Sequence, residues 1–453
     1  MSELKKQRLI LALLAACFTL FFVNCGDEDS SANSTVAVGD PDASDDDVDD
    51  DVEVFVHCGY LLQSDVLLSQ DLDCSASSEP AIVLNASGIT LDCGGYTIIG
   101  PVVGEIPAVK AEGVSDVAVI NCVLVAGENG VDFRNVSEAR VINNDISNPR
   151  RFGIMFDDVE EFEIDGNIVF STGGVALNGL EIGDSKSGLV TGNEIDGFLW
   201  SGIAAYITSD VEILGNTVSN VDDTGIGFFG SGYLSGGCFD IEVSGNDVSG
   251  AQNVGAVEIM HGSHHLSFIG NNFHDCRQAF YVYDDSGVEN HDISIVGNEF
   301  LDNGAGINVA SGAYNIEVLE NEFSNIAAPL TFRVVSDVTI TGNTIENDVL
   351  ETEFALRFSE VKNLKFNNNV LINCERYVEA STYEEIDLRW NYWAGCPYLI
   401  WFHLDDDPLT VINPLNSLPC SYVDQAIDIV DEDADGYDDE DCVREFPIEC
   451  VEP

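Results

Sequence analysis

Twelve asparagines recur through the chain at intervals of 22 to 30 residues, most often 23, each closing a short alternating apolar stretch. They are Asn121, Asn144, Asn167, Asn193, Asn216, Asn246, Asn271, Asn298, Asn321, Asn343, Asn368 and Asn391. A fixed period of this length means one supersecondary unit repeated, and no single copy can bury its apolar face alone. The repeat therefore constrains the architecture before any other feature does.

Each copy holds three short runs of period-2 alternation separated by small or polar residues. One register reads Gly202-Ile203-Ala204-Ala205-Tyr206, then Val211-Glu212-Ile213-Leu214-Gly215-Asn216, then Thr217-Val218. This is strand patterning, and no stretch of three helical turns at 3.6 spacing lies between Val54 and Trp393. Three strands per coil, stacked parallel, predict an all-β right-handed parallel β-helix of about 12–13 coils. At about 4.8 Å per coil, twelve coils make a rod on the order of 55 Å long. Ile203, Val211 and Ile213 point inward, and each repeated asparagine turns into the corner. There its amide can satisfy its neighbour and the corner backbone, groups otherwise buried without water.

Two further signatures mark the ends. Leu67-Leu68-Ser69-Gln70-Asp71-Leu72-Asp73-Cys74 and Ile89-Thr90-Leu91-Asp92-Cys93-Gly94-Gly95-Tyr96-Thr97-Ile98 lie near the start, and Trp390-Asn391-Tyr392-Trp393 near the end. With the Gly-Asn corners, these segments resemble the right-handed parallel β-helix repeat proteins of the pectin-lyase-like superfamily, in their bacterial exported form. The resemblance covers roughly residues 55–420. It is specific for fold and weak for activity, because this superfamily includes lyases, hydrolases, epimerases and non-catalytic surface proteins.

Outside the repeat the chain reads as three further segments. Residues 1–25 carry Lys5, Lys6 and Arg8, an apolar run Leu9–Val23 and then Cys25, the pattern of an export signal with a lipidation cysteine. Leu14-Ala15-Ala16-Cys17 offers a second processing site, but it would leave apolar residues beyond the anchor. Residues 26–52, with an acidic run over 45–51, predict a disordered tether. Residues 53–420 are the β-helix with its end pieces, and residues 421–453 an acidic tail. The chain is thus expected outside the cytoplasm, touching membrane only through a lipid anchor.

Eleven cysteines follow Cys25, and an oxidising compartment suits them. Spacing suggests Cys58 with Cys74, Cys93 with Cys122, Cys396 with Cys420 and Cys442 with Cys450, leaving Cys238, Cys276 and Cys374. Seventeen Lys and Arg face eighty Asp and Glu, a formal net charge of −63. That excludes nucleic acid as a partner, since nothing here would release phosphate counterions. Polyuronates are penalised in the same way unless divalent cations bridge the charges.

The strand after each coil's long variable turn presents alternate residues to solvent, and the resemblance implies that catalytic and sugar-binding groups sit on that outer ridge. Its central positions, Glu181, Tyr206, Phe229, Tyr281 and Tyr283, mix carboxylates with rings, and Arg333 adds a guanidinium farther along. Rings stack on sugar faces and carboxylates bind hydroxyls, so a glycan partner is expected. The repeat swells between Asn216 and Asn298, adding loops beside these coils. A hydrolytic pair would be Glu258 with Asp222 or Asp223, assisted by His261. Asp222-Asp223 and His261-Gly262 resemble parts of the polygalacturonase pattern, but its Asn-Thr-Asp and Arg-x-Lys elements are absent, as is the Asp-Pro-His of uronan epimerases. In the tail, Asp431, Asp433, Asp435, Tyr437, Asp439 and Asp441 follow the spacing of a calcium loop, with Gly436 at its turn. Cys442 stands where the bidentate Glu of an EF-hand would be, so Ca2+ is the expected cofactor.

Overall fold

The computed structural model describes residues 56–230, 236–284, 286–347, 354–372, 378–388, 391–394 and 401–402. Cys25, the tether, the tail with its six calcium-spaced residues, Cys374 and the pairings Cys396–Cys420 and Cys442–Cys450 lie outside them. The described chain is all β: a right-handed parallel β-helix whose strands form one 24-stranded and one 14-stranded sheet. The smaller sheet carries one strand per coil. Leu72–Asp73 and Thr97–Ile99 add two coils ahead of the twelve counted from the asparagines.

The larger sheet has two arms, which become one continuous strand where the chain bends without breaking its ladder. Asn129–Ile142 and Phe152–Asp165 do this, pairing in parallel from Asn129↔Phe152 to Ile142↔Asp165. At the bend, left-handed residues (Asn135 and Glu138, Asp158 and Glu161) turn the backbone. The three faces alternate as period-2 patterning requires. Ile203, Val211 and Ile213 are buried, and the third face stacks Phe273, Phe300 and Phe323 with ring centroids 5.6 and 4.5 Å apart.

The asparagine column is present, with two substitutions in its membership. Each inward asparagine accepts, at its Oδ1, the backbone N–H and the Nδ2–H of the asparagine one coil before. Thus Asn144 donates to Asn167, Asn167 to Asn193, and Asn193 to Asn216, all at 2.9 Å. The line continues through Asn246, Asn271, Asn298, Asn321 and Asn343 to Asn369 and Asn391. Asn121 and Asn368 are exposed left-handed residues, φ 53° and 55°, not members of the column. From Asn121-Cys122 to Asn368-Asn369 each corner uses a pair, a left-handed residue followed by an inward one. In Asn367-Asn368-Asn369 and Asn121-Cys122 the period alone cannot tell the two places apart. Cys122 holds the inward place, donates its N–H to Asn144 Oδ1 at 2.9 Å, and is joined to Cys93 by a disulfide. Cys58–Cys74 is also formed, while Cys238 and Cys276 are free and buried.

A column of small residues lines another corner. Gly130, Gly153, Gly179, Gly202 and Gly225 sit where the first arm begins, followed by Ala256 and Ala279 at the equivalent step. A Cβ on Gly202 would collide with Val218 Cγ1 and lie 2.9 Å from the Gly225 carbonyl oxygen. Absent side chains here let the first and third faces close on each other.

Candidate functional site

The first arm resolves the outward ridge into adjacent rows. Register places Asp132, Met155, Glu181, Ala204, Gly227, Glu258, Tyr281, Asn308 and Thr331 in one line. A second line runs Arg134, Asp157, Gly183, Tyr206, Phe229, Met260 and Tyr283. Ala204 and Gly227 leave the first line bare between its two glutamates, and rings from the second line fill that space. A Cβ on Gly227 would run into the Phe229 ring, so the ring lies flat over the glycine. Tyr206 packs on Phe229 with centroids 5.0 Å apart, and Tyr281 packs on Tyr283 at 4.8 Å.

Two carboxylates bracket the Tyr206–Phe229 pair, with Tyr281 and Tyr283 one coil beyond the second. Asn178 donates to Glu181 Oε2 at 2.5 Å, and burial pushes the Glu181 carboxyl above its ordinary range despite that bond. Glu258 is only 3% exposed, and the Thr224 hydroxyl donates to its Oε2 at 2.8 Å. An outward strand position does not by itself imply such cover; the neighbouring coil supplies it. Burial, followed by the negative fields of Glu181 and then Glu258, holds the Tyr206 phenol well above its usual value. The two glutamates therefore act on one point between them.

The remaining sequence candidates fall around this centre. Asp222 and Asp223 form the corner ahead of Thr224, where their carbonyls accept the Asn253, Val254 and Gly255 N–H groups of the next coil. Asp222 is exposed and Asp223 partly covered. His261, left-handed at φ 57°, faces the Gly230 carbonyl at 3.3 Å, and its ring is edge-on to Tyr283 at 6.5 Å. Arg333 is exposed and two coils beyond Tyr283, outside the ring-lined floor. Sequence reasoning missed Asn178, Thr224 and Trp200. Trp200 is 41% exposed and stands on the rim, its carbonyl accepting the Thr224 N–H at 2.7 Å. Asn178 had a legible signal: Asn129-x-x-Asp132 occupies the same register with the same bond, Nδ2 to Asp132 Oδ2 at 2.8 Å.

A groove of about 890 Å³ runs along the second arm, among Asp116, Glu161, Asp210, Glu212, Asp240 and His265. Its phenyl ring, Phe162, is 4% exposed, its one exposed ring is the His265 imidazole, and Arg140 already pairs with Asp116 at 3.0 Å. The ridge is the better candidate. Among the described residues, no group of three or more His, Cys, Asp or Glu side chains is arranged to hold a metal ion. No helix among them is long and apolar enough to cross a membrane.

Farther along the second arm, Phe239, His264, His291 and Tyr314 stack through four coils, with centroids 5.3, 4.7 and 4.8 Å apart. Burial and then the neighbouring His291 and His265 lower the His264 pKa, outweighing Asp240 and Asp292. The unfolded chain then takes up the proton first, so this contribution costs stability as pH falls through the unfolded value near 6.5. His264→Phe keeps the stack. Its stability relative to the parent should rise between pH 8 and pH 5 in urea melts; a difference independent of pH would exclude the coupling.

A family model described as "Right handed beta helix region" matches residues 87–248 and 255–386. No curated protein matches the chain. Among solved structures, the Dettilon tailspike protein is 14% identical with a TM-score of 0.44, over 68% of this chain and 62% of its own, so the chain spans about three-fifths of that tailspike. The mannuronan C-5 epimerase AlgE4 A-module of Azotobacter vinelandii is 13% identical with a TM-score of 0.38, over 75% of this chain and 78% of its own. The Streptococcus pneumoniae surface adhesin PfbA is 13% identical with a TM-score of 0.39, over 70% and 89%.

Proposed function

The chain belongs to the family of right-handed β-helix regions, and from that premise we propose that its ridge between Asn178 and Tyr283 binds a glycan. The observation that supports this is the floor itself. Tyr206 and Phe229 lie in register on consecutive coils, bracketed by Glu181 and Glu258, and the Tyr281–Tyr283 pair lies on the coil beyond Glu258. Strand spacing of about 4.8 Å is close to the length of one hexose, so a sugar chain lying along the coil axis meets a new ring or carboxylate at each step. On a glycan panel, Tyr281→Ala should weaken binding about tenfold, or about 1.4 kcal/mol. Glu317→Gln, on the other arm, should leave it unchanged. A panel with no bound glycan ends this reading and favours a structural spacer or adhesin.

Hydrolysis is the second reading. Glu181 and Glu258 stand three coils apart, roughly 14 Å at the strand spacing, beyond the ~5–9.5 Å that separates glycosidase carboxyl pairs. An acid–base pair would therefore join Glu258 to Asp222 or Asp223, with His261 assisting. The same panel read for new reducing ends tests it, and Glu258→Gln should abolish any product.

The protein is displayed outside the cytoplasm on a lipid-modified Cys25, held off by the 26–52 tether. The export pattern of residues 1–25 supports this. Mass spectrometry of the mature N-terminus should find a diacylglyceryl adduct on Cys25; a plain N-terminus, or processing at Cys17, would remove this anchor.

A further inference from the structure

We infer that the ridge selects a glycan bearing free amino groups, a polymer of 2-amino-2-deoxyhexose in its ammonium form, over the N-acetylated, neutral and uronic forms of the same backbone. This rests on the glycan reading above and names the class of sugar.

Three independent features of the floor favour a cation. First, the ridge positions of the five central coils hold no lysine or arginine. They are Asn178, Glu181 and Gly183; Ser201, Ala204 and Tyr206; Thr224, Gly227 and Phe229; Gly255, Glu258 and Met260; and Gln278, Tyr281 and Tyr283. Those positions offer a uronate no counter-charge, and the one guanidinium whose field reaches Glu181, that of Arg151, stands off the ridge rows. Second, the floor consists of ring faces, whose quadrupoles attract an ammonium and repel a carboxylate. Third, beyond the larger effect of burial, the fields of Glu181 and then Glu258 both act at Tyr206 against its phenolate. A potential that opposes a negative charge at that hydroxyl favours a positive one. Glu258 is covered and held by Thr224, so it acts as a fixed source of that potential. The whole-chain charge of −63 draws any polycation toward the molecule; the rings are what would make one surface the place it stays.

The experiment is calorimetric titration of the full chain at pH 6 with glucosamine oligomers of equal length, fully deacetylated or fully N-acetylated, alongside neutral gluco-oligomers and oligouronates. The expected result is at least tenfold tighter binding of the deacetylated oligomer. That preference should fall at least fivefold in Glu258→Gln. It should fall equally in Tyr206→Ala, which leaves the net charge untouched, whereas Glu212→Gln/Glu242→Gln in the other arm's groove should change it less than twofold. Thermal melts of each variant show that it is folded. If the amino oligomer binds Tyr206→Ala as tightly as the parent, it is held by charge alone and the inference fails. If neutral or N-acetylated oligomers bind as well or better through Tyr206, the sugar class is wrong and the glycan reading stands. If no oligomer binds, the inference fails, and the glycan panel decides the reading it rests on.

Discussion

Asn246→Leu should lower the unfolding free energy by about 4 kcal/mol, as large an effect as any single side chain in the column should show. Asn246 Oδ1 accepts the Asn216 N–H at 2.8 Å and its Nδ2–H at 3.0 Å, while its own amide donates to Ile213 O, Ser244 O and Asn271 Oδ1. Leucine fills the space and admits no water, so the Asn216 N–H and the Ile213 carbonyl lose their partners inside the coil. Each such buried group costs about 1–3 kcal/mol, and linked amides polarise one another, so the loss exceeds that of an isolated bond. Asn368→Ala, one residue ahead of the column, should cost about 1 kcal/mol or less, because it changes only an exposed left-handed residue. Urea denaturation of the two variants separates them. Equal losses would mean that the amides are decoration and the apolar stacks alone hold the coils.

Gly202→Ala should cost about 3 kcal/mol, an unusual penalty for one added methyl. The new Cβ collides with Val218 Cγ1 and presses on the Gly225 carbonyl, and backbone cannot move aside as a side-chain tip can. Val218→Ala in the same molecule removes the first contact and leaves the second, so the double variant should regain part of the loss and not all of it. A double-mutant cycle measures that coupling directly. Full recovery would show that only the valine matters. A neutral Gly202→Ala would show that this corner tolerates a Cβ as the column does at Ala256, two positions later. The same variant bears on function, because Gly202 lies in the strand Ser201–Tyr206 that carries Tyr206.

Much of the fold was legible in the chain and rather less of the site. Period-2 runs repeating about every 23 residues admit few ways to bury Ile203, Val218 and Phe228 together, so the coil, its three faces and its outward rows followed from patterning. Tyr206, Phe229, Tyr281 and Tyr283 were found for the same reason. Glu258 was read as solvent-facing because parity says outward. It is covered because Thr224, 34 residues earlier, lies one coil away and donates to it. Trp200 escaped notice because its partner Thr224 lies one coil on, at a distance in sequence that varies with each insertion, whereas Asn178 sits three residues from Glu181 and its repeat in Asn129-x-x-Asp132 was there to be read.

What the amino-acid order determined by itself was therefore the architecture: alternation chooses strands, the repeat chooses stacking, and recurrent asparagines supply donors and acceptors for a corner that water cannot reach. What only the tertiary structure decided was occupancy at one-residue resolution. It set which of two adjacent residues turns inward at Asn121-Cys122 and Asn368-Asn369, and how deeply Glu258 is covered with the Thr224 hydroxyl of the neighbouring coil as its donor. Both are settled by contacts between coils. In a stacked coil those contacts join residues adjacent in space at about 4.8 Å but two dozen apart along the chain, a distance that local patterning does not encode.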